Sequence, residues 1–321
     1  MLRPAAVAEL RQLVEEEGAG FPAIAWVWRA LEARGKLLSP GEGFGWGLLP
    51  LAACQAAGGD PSQALPLGVA LECFMAAADI FDDIQDTDAP DSLWLQCGLG
   101  TATNVGTFLL FLTQLAIDRL SRRGVPCEKV AEIAQSFAAA GARGCCGQQR
   151  DLEQTSEQGS DEGQYLTIVA QKSASLVECA CRSGALLGTV GPAALAAYAQ
   201  FGFNVGMALQ IVNDLAGVST ESAFRNDLSV GKRTLPVIFA LDCAPEPIRQ
   251  ELWGLLEAHR LRPLQPAEAE RARDLMAAVG SLQYARVVAD VYWERALGCL
   301  EAAGCPSDSP LHEMVAQMRG Q

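Results

Sequence analysis

Apolar residues recur at steps of three and four positions along most of this chain, and the strict alternation typical of strands is scarce. This spacing places apolar side chains on one face of an α-helix, which completes a turn in about 3.6 residues. Ala and Leu are the commonest residues, and Glu, Gln and Arg are frequent; all five favour helices. The sequence therefore predicts an all-α protein.

Breaks rich in Gly and Pro divide the chain into segments of roughly 15 to 30 residues, a length that suits helices. These breaks fall at residues 39–41, 58–61, 88–91, 124–126, 159–161, 191–192, 244–247 and 263–266. No internal repeat, heptad run or low-complexity linker separates the segments. One domain over residues 1–321, built as a single large helical bundle with a central apolar cavity, is the economical interpretation.

The formal net charge of −14 argues against attraction to nucleic acid or to anionic lipid headgroups, so neither is expected as a partner. A polyanionic ligand would need local Lys and Arg residues or metal ions to bind here. The chain has only two histidines, His259 and His312. So few histidines argue against a His-based metal site and against a Ser–His catalytic triad.

Six of the eleven cysteines stand singly in apolar, Ala- and Leu-rich stretches, where a thiol is expected to act as a small core hydrophobe. They are Cys54, Cys73, Cys97, Cys179, Cys181 and Cys299. The N-terminal residues 1–18 carry repeated Glu, unlike a signal peptide, and no run is expected to reach the ~20 apolar residues that span a bilayer. A cytoplasmic protein with reduced thiols and no stable membrane insertion is predicted.

Three carboxylates close the strongly apolar segment 65–86. Asp82, Asp83 and Asp86 stand at i, i+1 and i+4, so a helix would bring them together at its end. Like charges at the mouth of an apolar cavity repel one another unless cations lie between them, and such oxygen ligands suit Mg²⁺. A solvated acidic helix end is the alternative, but a second polar element favours a metal site.

This second element follows the apolar segment 193–209. Asn213, Gly217 and Glu221 fall at i, i+4 and i+8, so two oxygen ligands would share one helix face. Asp214 adds a carboxylate beside Asn213. Two adjacent cations stand further along the chain, and each of these features alone would be a weak signal.

Five segments, in this order, resemble motifs of the trans-isoprenyl diphosphate synthases and of the class I terpene synthases, which share a helical fold. Residues 82–86 (DDIQD) are similar to the first aspartate-rich motif and residues 147–152 (GQQRDL) to the GQxxDL segment. The other three are 171–176 (QKSASL, like KTxxL), 210–214 (QIVND, like QIxDD) and 231–236 (GKRTLP, like GKxTxP). The resemblance extends from about Leu48 to residues 284–286.

The resemblance implies the isoprenoid synthase fold, a homodimer, and an allylic prenyl diphosphate held by three Mg²⁺ ions, with its hydrocarbon tail in the bundle core. Its metal ligands would be Asp82, Asp83, Asp86, Asn213, Asp214 and Glu221. Its substrate contacts would be Lys172, Lys232, Arg233, Gln148, Gln210, Ala77, Ala78 and Phe81. Metal ions and cations that spread the charge of the leaving diphosphate would let the carbon–oxygen bond break.

Side-chain size near the first motif bears on substrate length. In the resembled family, bulky residues four and five positions before this motif shorten the pocket, and here these positions are Ala78 and Ala77. A long substrate such as geranylgeranyl diphosphate would therefore fit. Four aromatic residues could form a wall that stabilises a carbocation, although core packing is their commoner role. They are Phe44, Trp46, Phe74 and Phe81.

The sequence departs from the chain-elongating members at three places. Residues 41–47 (GEGFGWG) replace their GGKxxRP segment, and residues 87–92 (TDAPDS) replace a basic loop, so the cations for a second diphosphate are missing. Losing charge-assisted contacts of this kind weakens binding strongly, which makes condensation with isopentenyl diphosphate doubtful. The third place is the second motif, where residues 213–217 (NDLAG) replace DDxxD and, with Glu221, resemble the (N/D)DxxSxxxE pattern of terpene cyclases. Gly217 stands where those enzymes usually carry a ligating Ser or Thr, so a water molecule is expected there.

The leading hypothesis from the sequence is a Mg²⁺-dependent class I terpene synthase that ionises one prenyl diphosphate, farnesyl or geranylgeranyl, and releases pyrophosphate. The first alternative is a trans-prenyltransferase, either a chain-elongating isoprenyl diphosphate synthase or a peptide-prenylating enzyme. The second is a non-catalytic regulatory subunit of such a synthase, against which the retained Asp82, Asp83 and Asp86 argue.

Overall fold

The computed structural model of the chain describes residues 2–39, 45–86, 91–153, 161–219, 227–228, 231–258, 262 and 264–320. Every regular element within these ranges is helical, so the all-α prediction is confirmed. The gaps between helices include residues 58–61, 124–126 and 244–245, close to the Gly- and Pro-rich breaks of the sequence. Predicted features at residues 40–44, 87–90, 220–226 and 259–261, among them Phe44, Glu221 and His259, lie outside the described residues.

The helices vary from one turn to nearly eight in length. In chain order they are α1 Leu2–Gly18, α2 Ile24–Leu31, α3 Leu48–Ala56, α4 Leu65–Asp86, α5 Leu93–Cys97, α6 Leu99–Arg122, α7 Cys127–Leu152, α8 Glu162–Val169, α9 Ser175–Leu186, α10 Pro192–Ser219, α11 Leu235–Cys243, α12 Glu246–Ala258, α13 Pro266–Ala278, α14 Ser281–Ala302 and α15 Pro310–Arg319. A π-helical turn, Ala170–Ala174, separates α8 from α9.

The chain divides into two compact units. Unit 1 consists of Met1–Ala142, Leu176–Gly202 and Ala296–Gln321, and unit 2 of Arg143–Ser175 and Phe203–Arg295. The sequence-based expectation of one domain over residues 1–321 stays a prediction.

Helix α4 is the centre of unit 1, where it packs against α1, α2, α3, α5 and α6. Its buried side chains are mostly apolar, as the sequence predicts, and they continue to Ile80, two residues before the first aspartate of the motif. Removing this apolar surface from water stabilises the unit and holds the last turn of α4 in place. The acidic motif therefore stands at the end of a well-anchored helix.

One carboxylate interrupts the apolar character of α4. Glu72 is fully buried, and it accepts hydrogen bonds from the backbone N–H groups of Gly47 (2.7 Å) and Leu37 (3.2 Å). Burial raises the pKa of this carboxyl, although the two backbone N–H groups and the nearby Lys36 oppose the rise. Glu72 thus ties two residues of the preceding chain to α4.

Unit 2 has an apolar core of its own, formed mainly by α8, α11, α13 and the second half of α10. Its fully buried members include Ile211, Val218, Leu235 and Met276. Polar groups enter this core from α8 and α10, and they form the hydrogen-bonded network described with the site below.

Only part of the cysteine prediction is confirmed. Cys54, Cys73, Cys179 and Cys181 are buried, whereas Cys97 and Cys299 are only partly buried. Four other cysteines are exposed: Cys127, Cys145, Cys146 and Cys243. A thiol on a helix face that looks apolar in sequence can thus stay near the surface, because burial depends on which neighbour covers that face.

Two helices meet the length and composition of a membrane span, contrary to the expectation that no segment would do so. They are Leu99–Arg122 and Pro192–Val218. About half of each apolar window is buried inside the protein, 44% and 56% respectively. Core helices of water-soluble bundles show the same burial, so length and composition alone are weak support for membrane insertion.

Candidate active site

The first acidic motif lies in the last turns of α4. Asp82, Asp83 and Asp86 are all partly exposed there, after the buried residues of the helix. The indole N–H of Trp94 in α5 donates to the backbone carbonyl of Asp83 across 3.0 Å. Because the last four carbonyls of a helix have no partner within it, this bond stabilises the end of α4 that carries the motif.

A fourth aspartate extends this acidic face by one turn. Asp79 precedes Asp82 and Asp83 by three and four residues, so its side chain leaves α4 on the same side. Its Oδ2 lies 2.5 Å from Nζ of Lys36, whose side chain is only 3% exposed, while that of Asp79 is 60% exposed. The sequence analysis gave neither residue a role, although the spacing of Asp79 from the motif was a usable signal.

The residues predicted to line the hydrocarbon pocket lie in unit 1. Ala77 is buried, and Ala78 and Phe81 are partly buried. The Phe81 ring packs over Gly106 of α6, where an added Cβ would come within 2.9 Å of the ring. The length of the pocket stays a prediction.

Two of the predicted wall aromatics also lie in unit 1. Phe74 is partly buried, and its ring makes an edge-to-face contact with the fully buried Phe137 of α7, with 6.3 Å between ring centroids. Trp46 is partly buried just before α3.

The second motif lies in the last turns of α10, in unit 2. Asn213 is exposed, whereas its neighbour Asp214 is buried. Asp214 accepts a hydrogen bond from the Tyr165 hydroxyl at Oδ2 (2.6 Å) and from the Gln210 amide at Oδ1 (2.7 Å). Ser173 donates in turn to Oε1 of Gln210 across 2.7 Å. Asp214 therefore anchors α10 to α8, and Gln210 anchors it to the π-helical turn, while the side chain of Asn213 stays exposed.

Burial dominates the electrostatics of this network. It raises the pKa of Asp214 to about 6, with the charges of Asp227 and Asp151 adding to the rise while the hydrogen bonds from Tyr165 and Gln210 oppose it. Burial and the adjacent Asp214 also raise the pKa of Tyr165 well above its ordinary value. Tyr165 is consequently a neutral donor at physiological pH.

Lys172 lies within the π-helical turn Ala170–Ala174. Turns of this type carry one extra residue and often occur at functional sites. Its Nζ donates to Oδ2 of Asp151 at 2.9 Å, and both side chains are partly exposed. Gly147 of α7 packs directly against this turn, because an added Cβ would lie 2.5 Å from the backbone nitrogen of Lys172. Gln148, next to Gly147, is partly buried.

Lys232 and Arg233, the two cations of the motif at residues 231–236, have different surroundings. Lys232 is partly buried, and its backbone N–H donates to the carbonyl of Asp227 (2.9 Å). The Arg233 guanidinium lies 4.7 Å from the ring centroid of Trp253 and 3.8 Å from Oε1 of Glu257, both in α12. Only 9% of the Arg233 side chain is exposed, so it has a structural environment within unit 2.

Asp227 lies close to α10 in the position that a side chain at Gly217 would occupy. An ideal Cβ added to Gly217 would come within 2.6 Å of Asp227 Cγ and would collide with Oδ2. The Asp227 backbone N–H also donates to the Gly217 carbonyl across 3.2 Å. The sequence analysis did not single out Asp227, because it is fourteen residues from Asn213 and belongs to no regular spacing.

No three Asp, Glu, Cys or His side chains come close enough together to form a metal site of their own, within the ranges that the structure describes. Mg²⁺ usually binds through one or two carboxylates together with water and substrate phosphates. The partly exposed carboxylates of the first motif in unit 1 fit this open type of site.

Comparison with known proteins identifies the family. A family model described as "Polyprenyl synthetase" matches residues 46–276. The chain belongs to the polyprenyl synthetase family. A geranylgeranyl diphosphate synthase of Mycobacterium tuberculosis is 30% identical over 281 residues, which cover 84% of this chain and 78% of that protein.

Solved structures share the fold of this polyprenyl synthetase. A geranylgeranyl pyrophosphate synthetase from Pyrococcus horikoshii has a TM-score of 0.83 at 22% identity, with 99% of this chain and 95% of that chain covered. The geranylgeranyl pyrophosphate synthase of Corynebacterium glutamicum, solved with isoprenyl diphosphate and magnesium, has a TM-score of 0.79 at 20% identity, with 99% and 96% covered. The predicted isoprenoid synthase fold is thereby confirmed.

Family membership makes the chain an enzyme of isoprenoid biosynthesis in the prenyltransferase class. The sequence-based preference for a terpene synthase finds no support among these relatives, whereas its alternative, a prenyltransferase, agrees with them. The individual ligands, the number of ions, the meeting of the two motifs around one diphosphate, and the homodimer stay predictions.

Proposed function

We propose that this polyprenyl synthetase is a Mg²⁺-dependent prenyltransferase that binds an allylic prenyl diphosphate and ionises it. The observation that carries the proposal is the intact first motif: Asp82, Asp83 and Asp86 stand partly exposed at the end of the buried helix α4. Carboxylates at such a position suit magnesium and a diphosphate better than they suit an apolar ligand alone.

The reaction needs a diphosphate that can leave with the electron pair of its carbon–oxygen bond. Bound Mg²⁺ would neutralise the charge that develops on this leaving group. Asp82, Asp83, Asp86 and Asn213 would hold the ions, and Asp214, Glu221 and Gln210 would complete or orient this set. The hydrogen bonds from Tyr165 and Gln210 to Asp214 fix the last turns of α10, so Asn213 keeps its orientation.

Two lysines are proposed to steady the diphosphate. Lys172 is partly exposed, and its partner Asp151 keeps the ammonium group oriented within the π-helical turn. Lys232 lies in the segment that Asp227 connects to α10. Fixed cations of this kind stabilise charge that develops in a transition state without reorganising. Arg233 contributes less directly, because its guanidinium packs against α12.

The substrate is proposed to be long, farnesyl or geranylgeranyl diphosphate. The small side chains of Ala77 and Ala78 support this length, and so do the names of the relatives, several of which are geranylgeranyl diphosphate synthases. An apolar lining near Phe81 would exclude water from the reactive cation. A cytoplasmic homodimer without stable membrane insertion belongs to the same proposal.

A second candidate, a class I terpene synthase that uses a single diphosphate, rests on one specific observation. Trp46 occupies the position of the Arg in the GGKxxRP segment of the chain-elongating members, and its partly buried side chain offers no charge for a second diphosphate. The backbone next to it is held in place, because the buried carboxylate of Glu72 accepts a hydrogen bond from the Gly47 N–H across 2.7 Å.

Pyrophosphate release distinguishes these possibilities. The protein is incubated with Mg²⁺ and geranyl, farnesyl or geranylgeranyl diphosphate, each with and without isopentenyl diphosphate. A longer prenyl diphosphate that forms only with isopentenyl diphosphate supports the prenyltransferase, and release from one diphosphate alone supports the second candidate. No release from any combination contradicts the proposal that this chain ionises a prenyl diphosphate.

A further inference from the structure

The first acidic motif shares its face of α4 with two further carboxylates. Glu72, Asp79 and Asp86 follow one another at intervals of seven residues, which is close to two turns of an α-helix. Their side chains therefore leave α4 in nearly the same direction. Asp82 and Asp83 stand beside this line, so an otherwise apolar helix carries one polar stripe that runs from its buried part to the motif.

A buried cation lies against this stripe. The side chain of Lys36 is 3% exposed, and its Nζ lies 2.5 Å from Oδ2 of Asp79. Its charge also acts on the carboxyl of Glu72, which is fully buried two turns earlier. The next residue, Leu37, donates its N–H to Glu72 across 3.2 Å, and its carbonyl accepts from Arg3 across 3.0 Å. These bonds fix the backbone that carries Lys36 beside α4.

The spacing of the aspartates allows two places for a metal ion. Asp82 and Asp86 stand at i and i+4, where two carboxylates of one helix lie close enough to share an ion. Asp79 and Asp83 have the same spacing, three residues earlier on the helix. A motif that can hold its ion in either of two places needs a feature that distinguishes them.

The ion pair between Lys36 and Asp79 supplies this difference. An ammonium group at 2.5 Å occupies one oxygen of Asp79 and offsets its charge, which makes this carboxylate a poor ligand for a second cation. The Asp79 side chain is 60% exposed, and an ion pair with so exposed a partner contributes little to stability. The pair therefore constrains Asp79 more than it stabilises the fold.

We propose that Lys36 sets the place of the metal on α4, because it engages Asp79 and thereby leaves Asp82 and Asp86 as the pair that binds the ion. Lys36 is then a positioning residue, which acts through Asp79 and touches neither metal nor substrate. This inference rests on the proposed function, since it concerns the ion that the proposed reaction needs.

The test measures metal binding without turnover. Mn²⁺ replaces Mg²⁺ as a spectroscopic probe, and electron paramagnetic resonance determines its affinity for the protein in the absence of any diphosphate. Lys36→Met and Lys36→Gln both remove the charge, so a folding defect in one leaves the other to be measured. Lys36→Arg keeps the charge. Arg122→Met is the matched control, since Arg122 is an exposed cation in the last turn of α6 in the same unit.

We expect Lys36→Met and Lys36→Gln to bind Mn²⁺ about tenfold more tightly or better, the size of effect that outer partners of metal ligands reach. The double variant Lys36→Met/Asp79→Asn should return to the wild-type affinity, because the released carboxylate is gone. Asp79→Asn alone, Lys36→Arg and Arg122→Met should bind as the wild type does. Thermal unfolding of the metal-free variants shows whether each is folded.

Catalysis should follow the same pattern. Pyrophosphate release with Mg²⁺ should fall by about tenfold in Lys36→Met, because part of the metal binds in the wrong place. Release should recover in Lys36→Met/Asp79→Asn. A merely structural loss would not be repaired by a second substitution in the same pair.

A folded uncharged variant of Lys36 that binds Mn²⁺ no more tightly than the wild type overturns this role and leaves the proposed function intact. Weaker binding in Asp79→Asn also overturns it, because Asp79 would then already be a ligand. Wild-type protein that releases no pyrophosphate from any prenyl diphosphate contradicts the proposed function, whereas the Mn²⁺ affinities still decide the inference.

Discussion

Tyr165 of α8 donates its hydroxyl hydrogen to the buried carboxylate of Asp214 in α10, across 2.6 Å. The bond joins two helices of unit 2 at the turn of α10 that carries Asn213. Because the pKa of Tyr165 is raised well above its ordinary value, the phenol stays protonated and keeps donating. The orientation of the second motif thus depends on a residue outside every motif in the sequence.

Tyr165→Phe is expected to destabilise the protein by about 1–3 kcal/mol, because a buried carboxylate loses one of its hydrogen bonds. The free energy of unfolding in urea measures this loss. Tyr292→Phe is the control, since this partly buried tyrosine packs against the same core. Equal stabilities of the wild type and Tyr165→Phe would show that the bond does not support α10.

Two glycines of α7 should respond in opposite ways to alanine. Gly147→Ala places a Cβ 2.5 Å from the Lys172 nitrogen, so the π-helical turn must move, and a loss of about 1–3 kcal/mol is expected. A Cβ added at Gly144 would come no closer than 4.0 Å to any atom outside its own helix, so Gly144→Ala should raise stability by up to about 1 kcal/mol. Thermal unfolding compares the two. Equal effects would mean that the close packing at Gly147 is unimportant.

The sequence predicts a substrate contact for both Lys172 and Arg233, but the two side chains should differ in function. Lys172→Met removes a partly exposed cation, and we expect kcat/KM for the diphosphate to fall by about a hundredfold or more with little loss of stability. Arg233→Met removes a packed cation–π contact, so stability should fall by about 1 kcal/mol while kcat/KM changes only a few-fold. Steady-state kinetics and urea unfolding of both variants check this contrast, which the reverse pattern would refute.

Glu72 should give the protein a pH-dependent stability. Its pKa is raised above the ordinary 4.5 in the folded protein, mainly by burial. The folded state therefore keeps a proton that the unfolded state loses, so the stabilisation is complete below about pH 4.5 and declines as the pH rises through the folded-state pKa.

Glu72→Gln removes this titration. The free energy of unfolding of the wild type minus that of Glu72→Gln should decrease steadily from acidic to neutral pH. A difference that stays constant or increases over this range would show that burial does not raise the pKa of Glu72.

The sequence predicted the helical class, several interhelical breaks and the first motif, because each depends on local periodicity. Helix α4 ends at Asp86, directly after the three predicted carboxylates. Its interior was predicted less well. Glu72 interrupts the apolar helix, and its partners are backbone groups 25 and 35 residues away, which no local pattern reveals.

The second motif shows the same limit. Asn213 and Asp214 are adjacent, so their side chains point in directions about 100° apart on a helix, and only Asn213 is exposed. Spacing alone could have indicated that the two would not act alike. The position of Asp227 against Gly217 and the packing of Arg233 on Trp253 arise from contacts between separate segments, so they required the three-dimensional structure.

The most direct test of the central claim compares two aspartate variants in pyrophosphate release from geranylgeranyl or farnesyl diphosphate with Mg²⁺, with isopentenyl diphosphate present. Asp82→Asn removes one carboxylate of the first motif, and Asp118→Asn removes an exposed one from α6 in the same unit. We expect release to fall by about a hundredfold or more in Asp82→Asn and to stay at the wild-type rate in Asp118→Asn. Wild-type release by folded Asp82→Asn would contradict the claim that this end of α4 binds the metal and the diphosphate.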